Sequence, residues 1–115
     1  MPRDVTIYHN PRCSKSRATL KLLTNHSIDA RIVTYLTDPL STAELRHIVD
    51  MIGDPHLIVR RKETAYVEQQ LSMDSSADDI VNAILQQPVL LERPIVVSSK
   101  GAAIGRPPEN VLSII

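Results

Sequence analysis

The first 35 residues hold two short apolar runs with one amphipathic stretch between them. Residues 5–8 and 30–35 are rich in β-branched side chains and predict strands, whereas Ser14–Asn25 predicts a helix. A strand, a helix and a second strand in about 30 residues form a β-α-β unit with a right-handed parallel crossover. The chain must therefore fold around a sheet that contains at least one parallel pair.

The middle of the chain predicts helices only. Ser41 followed three residues later by Glu44 is a capping-box pattern that marks a helix start. Further helices are expected at residues 57–71, as one or two short ones, and at residues 77–87. Residues 37–91 are therefore interpreted as an all-helical insertion.

The pattern returns to strands after residue 92. Residues 93–98 predict a strand, Lys100-Gly101 a tight hairpin turn, and residues 102–104 the returning strand, before a last short helix. The order is β-α-β, helices, then β-β-α. Because no linker or repeat interrupts it, residues 1–115 are interpreted as a single α/β domain.

Composition excludes several classes of function. The chain has 13 basic and 13 acidic side chains and a net charge of zero, which argues against binding nucleic acid or an anionic membrane. No apolar run reaches the ~18 residues of a membrane span, and residues 1–10 do not resemble a signal peptide. A single cysteine fits a reducing compartment, so we expect a cytoplasmic protein.

Cys13 stands where a nucleophile is expected. It directly precedes the first predicted helix, whose free N–H groups and dipole favour a negative charge. No Asp or Glu occurs in residues 5–28, and four basic residues lie close in sequence: Arg12, Lys15, Arg17 and Lys21. Each feature lowers a thiol pKa, so the sequence predicts a reactive thiolate and not an inert buried cysteine.

The residues around Cys13 limit the mechanism. Ser16 occupies the position of the second cysteine of a C-x-x-C motif, and Thr19 that of the arginine of a phosphatase loop. Any oxidised Cys13 must therefore be resolved by an outside thiol. His9 is either a tuning residue, through charge or a hydrogen bond, or a plain turn histidine. One cysteine and scattered histidines predict no metal site.

Four arginines are candidates for binding an anion: Arg60, Arg61, Arg93 and Arg106. A guanidinium makes two parallel hydrogen bonds to an oxyanion. Arg93 and Arg106 flank the predicted hairpin at its two ends, so we expect them to lie near each other.

The segment from Tyr8 to Arg17 closely resembles the active-site segment of the glutaredoxin-coupled arsenate reductases, in particular their short, housekeeping-type members. The likeness continues in the same order through four further segments: Tyr35-Leu36, Arg60-Arg61-Lys62, residues 93–97 and Gly105-Arg106-Pro107. The resemblance implies a thioredoxin-like core with a helical insertion between the second and third strands.

The resemblance also implies roles for individual residues. Cys13 matches the nucleophile that attacks arsenate. Four residues match those that stabilise its thiolate: His9, Asn10, Ser16 and Arg17. Three match the oxyanion-binding arginines: Arg61, Arg93 and Arg106. In a thioredoxin-like core Pro94 begins the third strand opposite the cysteine, so we expect a cis Arg93–Pro94 bond.

The same resemblance implies the co-reactants. Glutathione is the co-substrate and glutaredoxin the protein partner, with arsenite as product, no bound cofactor and a monomeric protein. Two alternatives remain open: an RNA-polymerase-binding transcriptional regulator of the same fold, and a thiol-dependent reductase for another substrate. Which of Arg60 and Arg61 faces the site also stays open.

Overall fold

The structure, a computed structural model, describes residues 4–115. The strands are β1 (Thr6–Tyr8), β2 (Arg31–Val33), β3 (Ile95–Ser98) and β4 (Gly101–Ile104). The α-helices are α1 (Ser14–Asn25), α2 (Thr42–Ile52), α3 (Thr64–Glu68) and α4 (Ala77–Gln86). Short 3-10 helices span Pro55–Ile58, Pro88–Leu90 and Pro108–Ile114. The expectation about the start of the chain falls in part on residues 1–3, which lie outside the described residues.

The four strands form one sheet in the order β2-β1-β3-β4. β1 and β2 run parallel, with Ile7 opposite Ile32, so the predicted β-α-β unit is confirmed. β3 lies antiparallel to β1, with Val96 opposite Ile7, and β4 closes the hairpin on β3. This order brings the start of β3 beside the end of β1, where the loop to Cys13 begins.

The described residues form two compact units. The first comprises the residues up to Asp38 together with Arg93–Ile115, and so contains the sheet, α1 and the last 3-10 helix. Ile7, Leu23, Val96 and Val111 are fully buried in its core. The Ser98 hydroxyl donates to the backbone carbonyl of Ile114, which fastens the C-terminal segment to β3.

The second unit spans Pro39–Glu92 and agrees within two residues at each end with the predicted insertion. α2 and α4 each begin with a complete capping box, at Ser41 and Ser76 respectively. An isolated antiparallel bridge between Val59 and Leu91 is an addition to the predicted helices. That the chain is one domain stays a prediction.

Several details depart from the sequence analysis, among them that β3 begins at Ile95 and not at residue 93. β2 covers three residues and not six, because the chain turns at Thr34, whose carbonyl accepts the N–H of Thr37 at 3.0 Å. The Arg93–Pro94 bond is cis, as expected, but Arg106–Pro107 is also cis, which was not anticipated.

Within residues 4–115, no helix combines the length and apolar character that crossing a membrane requires.

Candidate active site

Cys13 is the N-cap residue of α1, with φ −93° and ψ 123°. Its N–H donates to the Asn10 carbonyl at 3.0 Å, which closes the turn that follows β1. Its own carbonyl accepts the N–H of Arg17 at 3.0 Å, the first bond of the helix. The thiol is partly exposed, so a small molecule can reach the sulfur.

Two arginines from the other end of the chain approach this sulfur. Arg106 Nη1 lies 3.7 Å from Cys13 Sγ and also donates to the Arg93 carbonyl at 3.2 Å. The Arg93 guanidinium interacts with the sulfur through a hydrogen bond and its charge. The two ends of the β3–β4 hairpin therefore place two guanidinium groups beside one thiol.

Opposing effects act on the pKa of Cys13. Burial raises it, but the backbone N–H of Ser16, the Arg93 guanidinium and the N–H of Lys15 together outweigh burial, so the pKa of Cys13 is lowered. The two N–H groups act without forming a full capping hydrogen bond to the side chain. The free N–H groups of the helix start therefore contribute, as the sequence indicated.

The side-chain cation that lowers the pKa of Cys13 is distant from it in sequence. Arg12, Lys15, Arg17 and Lys21 were expected to stabilise the thiolate by proximity in sequence. The cation that lowers the pKa of Cys13 is Arg93, and Lys15 contributes through its backbone N–H. β3 begins at Ile95, opposite Tyr8 at the end of β1, so Arg93 comes from the segment beside the loop that leads to Cys13.

His9 and Ser16 form a buried pair beneath the turn. Ser16 Oγ accepts the backbone N–H of Asn10 at 3.0 Å, and it lies 2.6 Å from His9 Nδ1. His9 Nδ1 and Ser16 Oγ are thus hydrogen-bonded to each other beneath the turn. Burial, and then the charge of Arg17, lower the pKa of His9, so the imidazole is neutral at pH 7.

Through Ser16 Oγ, His9 is hydrogen-bonded to the turn that presents Cys13. Asn10 and Arg17 act on the same turn: Asn10 Oδ1 accepts the N–H of Arg12, and Arg17 Nη1 donates to the Pro11 carbonyl, both at 3.0 Å. These contacts fix the backbone that presents the thiol. A direct role of the three side chains at the thiolate stays a prediction.

Gly105 is a residue of this site to which the sequence analysis assigned no role of its own. It lies just after β4, and its N–H donates to the Pro94 carbonyl at 2.9 Å. A Cβ at this position would clash with Thr19 Oγ1 and would lie 2.8 Å from Pro94 Cγ. Only glycine lets α1 and the two arginine-bearing segments approach this closely. A glycine directly before an arginine-proline pair was the available signal.

Arg60 and Arg61 lie in the second unit and have different partners. Arg60 pairs with Glu63 at 3.0 Å and with Glu92 at 2.9 Å, and its side chain is 22% exposed. Arg61 is exposed, and its Nη1 donates to Met73 Sδ at 3.1 Å. Arg60 is thus committed to two carboxylates, whereas the partner of Arg61 is an uncharged, weak acceptor. This difference favours Arg61 as the anion-binding residue.

Among residues 4–115, no three His, Cys, Asp or Glu side chains form a group that could hold a metal ion. The arrangement at Cys13 consists of a partly exposed sulfur, two guanidiniums and backbone N–H groups. It can stabilise a thiolate and bind an oxyanion beside it.

Comparison with known proteins gives a consistent family. A model of the ArsC family matches residues 8–114. The chain is 43% identical to a protein of Escherichia coli K12 named uncharacterized protein YfgD, over 100% of this chain and 99% of that one. It is 44% identical to an arsenate reductase of Haemophilus influenzae, over 97% and 99% of the two chains. The solved structure of an arsenate reductase from Vibrio cholerae superposes with a TM-score of 0.90 at 43% identity, over 96% and 97%. With a family model that spans nearly the whole chain and relatives that align from end to end, this protein belongs to the ArsC family and has its thioredoxin-like fold.

Proposed function

We propose that the protein is an arsenate reductase that uses Cys13 as its nucleophile and glutathione and glutaredoxin as reductants. The observation that carries the proposal is the contact of two arginines with one thiol of lowered pKa. The Haemophilus influenzae and Vibrio cholerae relatives bear the name arsenate reductase, which supports arsenate as the substrate.

The first step is attack by the Cys13 thiolate on arsenic. A sulfur–arsenic bond forms, and one oxygen of arsenate leaves as water after taking up protons. Arg93 and Arg106 bind the remaining oxygens and stabilise the charge that develops on them. Arg61 is the third oxyanion-binding residue in this proposal, and the pairing of Arg60 with Glu63 and Glu92 supports that choice.

The next two steps need outside thiols, because the sequence contains one cysteine. Glutathione forms a second sulfur–arsenic bond and releases another water. The glutaredoxin thiolate then attacks the glutathione sulfur, so that a mixed disulfide forms and the sulfur–arsenic electron pair stays on arsenic. Arsenic thereby falls from As(V) to As(III). Water cleaves the bond to Cys13 and releases arsenite, and a second glutathione regenerates glutaredoxin.

The further elements of the proposal follow from these reactants. The protein acts as a monomer in the cytoplasm, where glutathione and glutaredoxin are kept reduced. Glutathione is consumed as a co-substrate, and no cofactor is bound.

Arsenite production is the decisive assay. Purified protein with arsenate and glutathione should form arsenite only when glutaredoxin is present, and Cys13→Ser should abolish it. Ser14→Ala, next to the nucleophile but on the exposed side of the helix start, serves as the matched control. Arsenite formation by Cys13→Ser would contradict the proposal. So would an inactive protein that is instead retained by the polymerase α-subunit in a pull-down.

A further inference from the structure

A cavity of about 350 Å³ lies against the turn that presents Cys13. Its walls are residues 9–12 on one side and Thr34, Leu36 and Thr37, just after β2, on the other. We call it the turn cavity. All of its lining belongs to the first compact unit, and its volume lies in the ~300–1,000 Å³ range typical of small-molecule sites.

The turn cavity combines an apolar surface with several hydrogen-bond donors. Pro11 and Leu36 supply exposed apolar groups, and Leu36 is 45% exposed. His9 Nδ1 contacts Ser16 Oγ and Asn10 Oδ1 accepts the Arg12 N–H within the turn, and both residues also line the cavity and add polar side chains to it. The Arg12 guanidinium is exposed and adds a full positive charge. A few donors on apolar walls suit a small organic anion.

The turn cavity is distinct from the oxyanion site, although its wall includes Arg12, the residue directly before Cys13. Neither Arg93 nor Arg106 lines it. Asn10, whose carbonyl accepts the Cys13 N–H, is one of its lining residues, so the cavity lies beside the turn that presents the thiol. Such a position suits a second reactant that must approach an adduct formed on Cys13.

We propose that the turn cavity is the binding subsite for glutathione, an inference that rests on the proposed function. Glutathione is a small peptide with two carboxylates, one thiol and two amide bonds. Arg12 binds one carboxylate, the Asn10 amide donates to a peptide carbonyl or carboxylate, and Leu36 and Pro11 contact the apolar carbons. The glutathione thiol then faces the arsenic on Cys13, while Arg93 and Arg106 hold the arsenate oxygens.

Binding is tested without any reaction, by titrating ¹⁵N-labelled protein with S-methylglutathione, whose blocked sulfur forms neither a disulfide nor an arsenic bond. We expect amide shifts at Asn10, Arg12, Leu36 and Thr37. Loss of the charge-assisted bond in Arg12→Ala should weaken this binding about tenfold. Arg31→Ala, which removes another exposed arginine from the same unit, should bind like wild type.

Kinetics supply the second measurement. Arg12→Ala and Leu36→Ala should raise the KM for glutathione and leave the KM for arsenate and the pKa of Cys13 unchanged. The matched control for Leu36→Ala is Ile32→Ala, which removes an apolar side chain of similar exposure, 49% against 45%, outside the cavity.

The outcomes separate the subsite from the function. Shifts at the cavity without arsenite formation would uphold the subsite and refute the proposed reaction. Turnover with shifts confined to residues 93–97, or with no shifts up to tens of millimolar peptide, would overturn the subsite alone. A changed KM for glutaredoxin with an unchanged KM for glutathione would also overturn it, since the cavity would then contact the protein partner.

Discussion

At the scale of single residues, the reactivity of Cys13 depends on a balance between burial and nearby positive charge. Burial raises the pKa of the thiol, and the Ser16 N–H, the Arg93 guanidinium and the Lys15 N–H lower it by more. The charged contribution comes from a residue that lies 80 positions away in the sequence. Replacing Arg93 therefore measures how far this tertiary contact lowers the pKa of Cys13.

We therefore expect the alkylation rate of Cys13 to show a midpoint below the free value of ~8.5. Arg93→Ala should move that midpoint up toward the free value, because burial then acts with less compensation. Arg31→Ala, an exposed arginine on β2, should leave it unchanged. A midpoint in Arg93→Ala identical to that of wild type would contradict the contribution of Arg93 and leave the backbone N–H groups and Arg106 to stabilise the thiolate.

His9 predicts how stability depends on pH. Burial and the charge of Arg17 lower its pKa in the folded state below the unfolded value of about 6.5. As the pH falls through that value, His9 binds a proton in the unfolded chain, whereas in the folded chain it stays neutral until the pH is lower. Folding stability must therefore decrease on acidification through this window and be fully retained above it.

Urea unfolding between about pH 5 and pH 8, roughly 1.5 pH units to either side of the ordinary histidine pKa of about 6.5, measures this effect. His9→Asn should be less stable than wild type at pH 8, because it loses the Ser16 bond, but its stability should fall less on acidification. His47→Asn, at an exposed position of α2, should keep the wild-type slope. An unchanged slope in His9→Asn would assign the pH dependence to other groups.

At the scale of elements, the site depends on how closely α1 packs against the ends of β3 and β4. Thr19 of α1 donates to the Lys15 carbonyl at 2.8 Å and to the Gly105 carbonyl at 3.4 Å. A Cβ at Gly105 would also lie 2.8 Å from Pro94 Cγ. The absence of a side chain at Gly105 therefore lets α1 pack closely against both segments that carry the arginines.

Gly105→Ala should therefore destabilise the protein by roughly 1–3 kcal/mol, the usual cost of overpacking a tight contact. It should also raise the pKa of Cys13, since Arg93 and Arg106 move with the displaced segments. A double-mutant cycle with Thr19→Ala tests the cause, because removing the Thr19 side chain should recover part of the loss. Strict additivity of the two substitutions would contradict the packing argument.

The elements also show which features a sequence can reveal. The start of α2 was predicted because a capping box is a local signal, and Ser41 and Glu44 form both of its bonds. The end of β2 was not predicted, because the turn at Thr34 contains no glycine or proline that would mark it in the sequence. Cys13 was found from its place before a helix. The contact between Arg106 and the sulfur joins residues 93 positions apart, and without the family resemblance only the strand order could supply it.

At the scale of the whole molecule, the chain divides its charged residues between two compact units. The first unit holds Cys13, Arg93 and Arg106, and the second holds the doubled Arg60-Arg61. Spacing could not assign the two adjacent arginines, since either could face an anion. Their partners within the second unit separate them: Arg60 bridges Glu63 and Glu92, whereas Arg61 is exposed and contacts Met73.

Arg60→Ala should therefore lower the stability of the protein, whereas Arg61→Ala should lower its activity on arsenate. Arg60→Ala leaves two half-buried carboxylates without their cation and should cost about 1–3 kcal/mol in urea unfolding. Arg61→Ala should change stability by less than about 0.5 kcal/mol, as exposed substitutions usually do.

If Arg61 binds the oxyanion as proposed, its removal should lower kcat/KM for arsenate by at least about tenfold, because the charge it stabilises develops in the transition state. Arg60→Ala should retain kcat/KM under conditions in which it is folded. Wild-type turnover in Arg61→Ala, together with a collapse in a folded Arg60→Ala, would reverse the assignment and require the Glu63 and Glu92 pairs to open during catalysis.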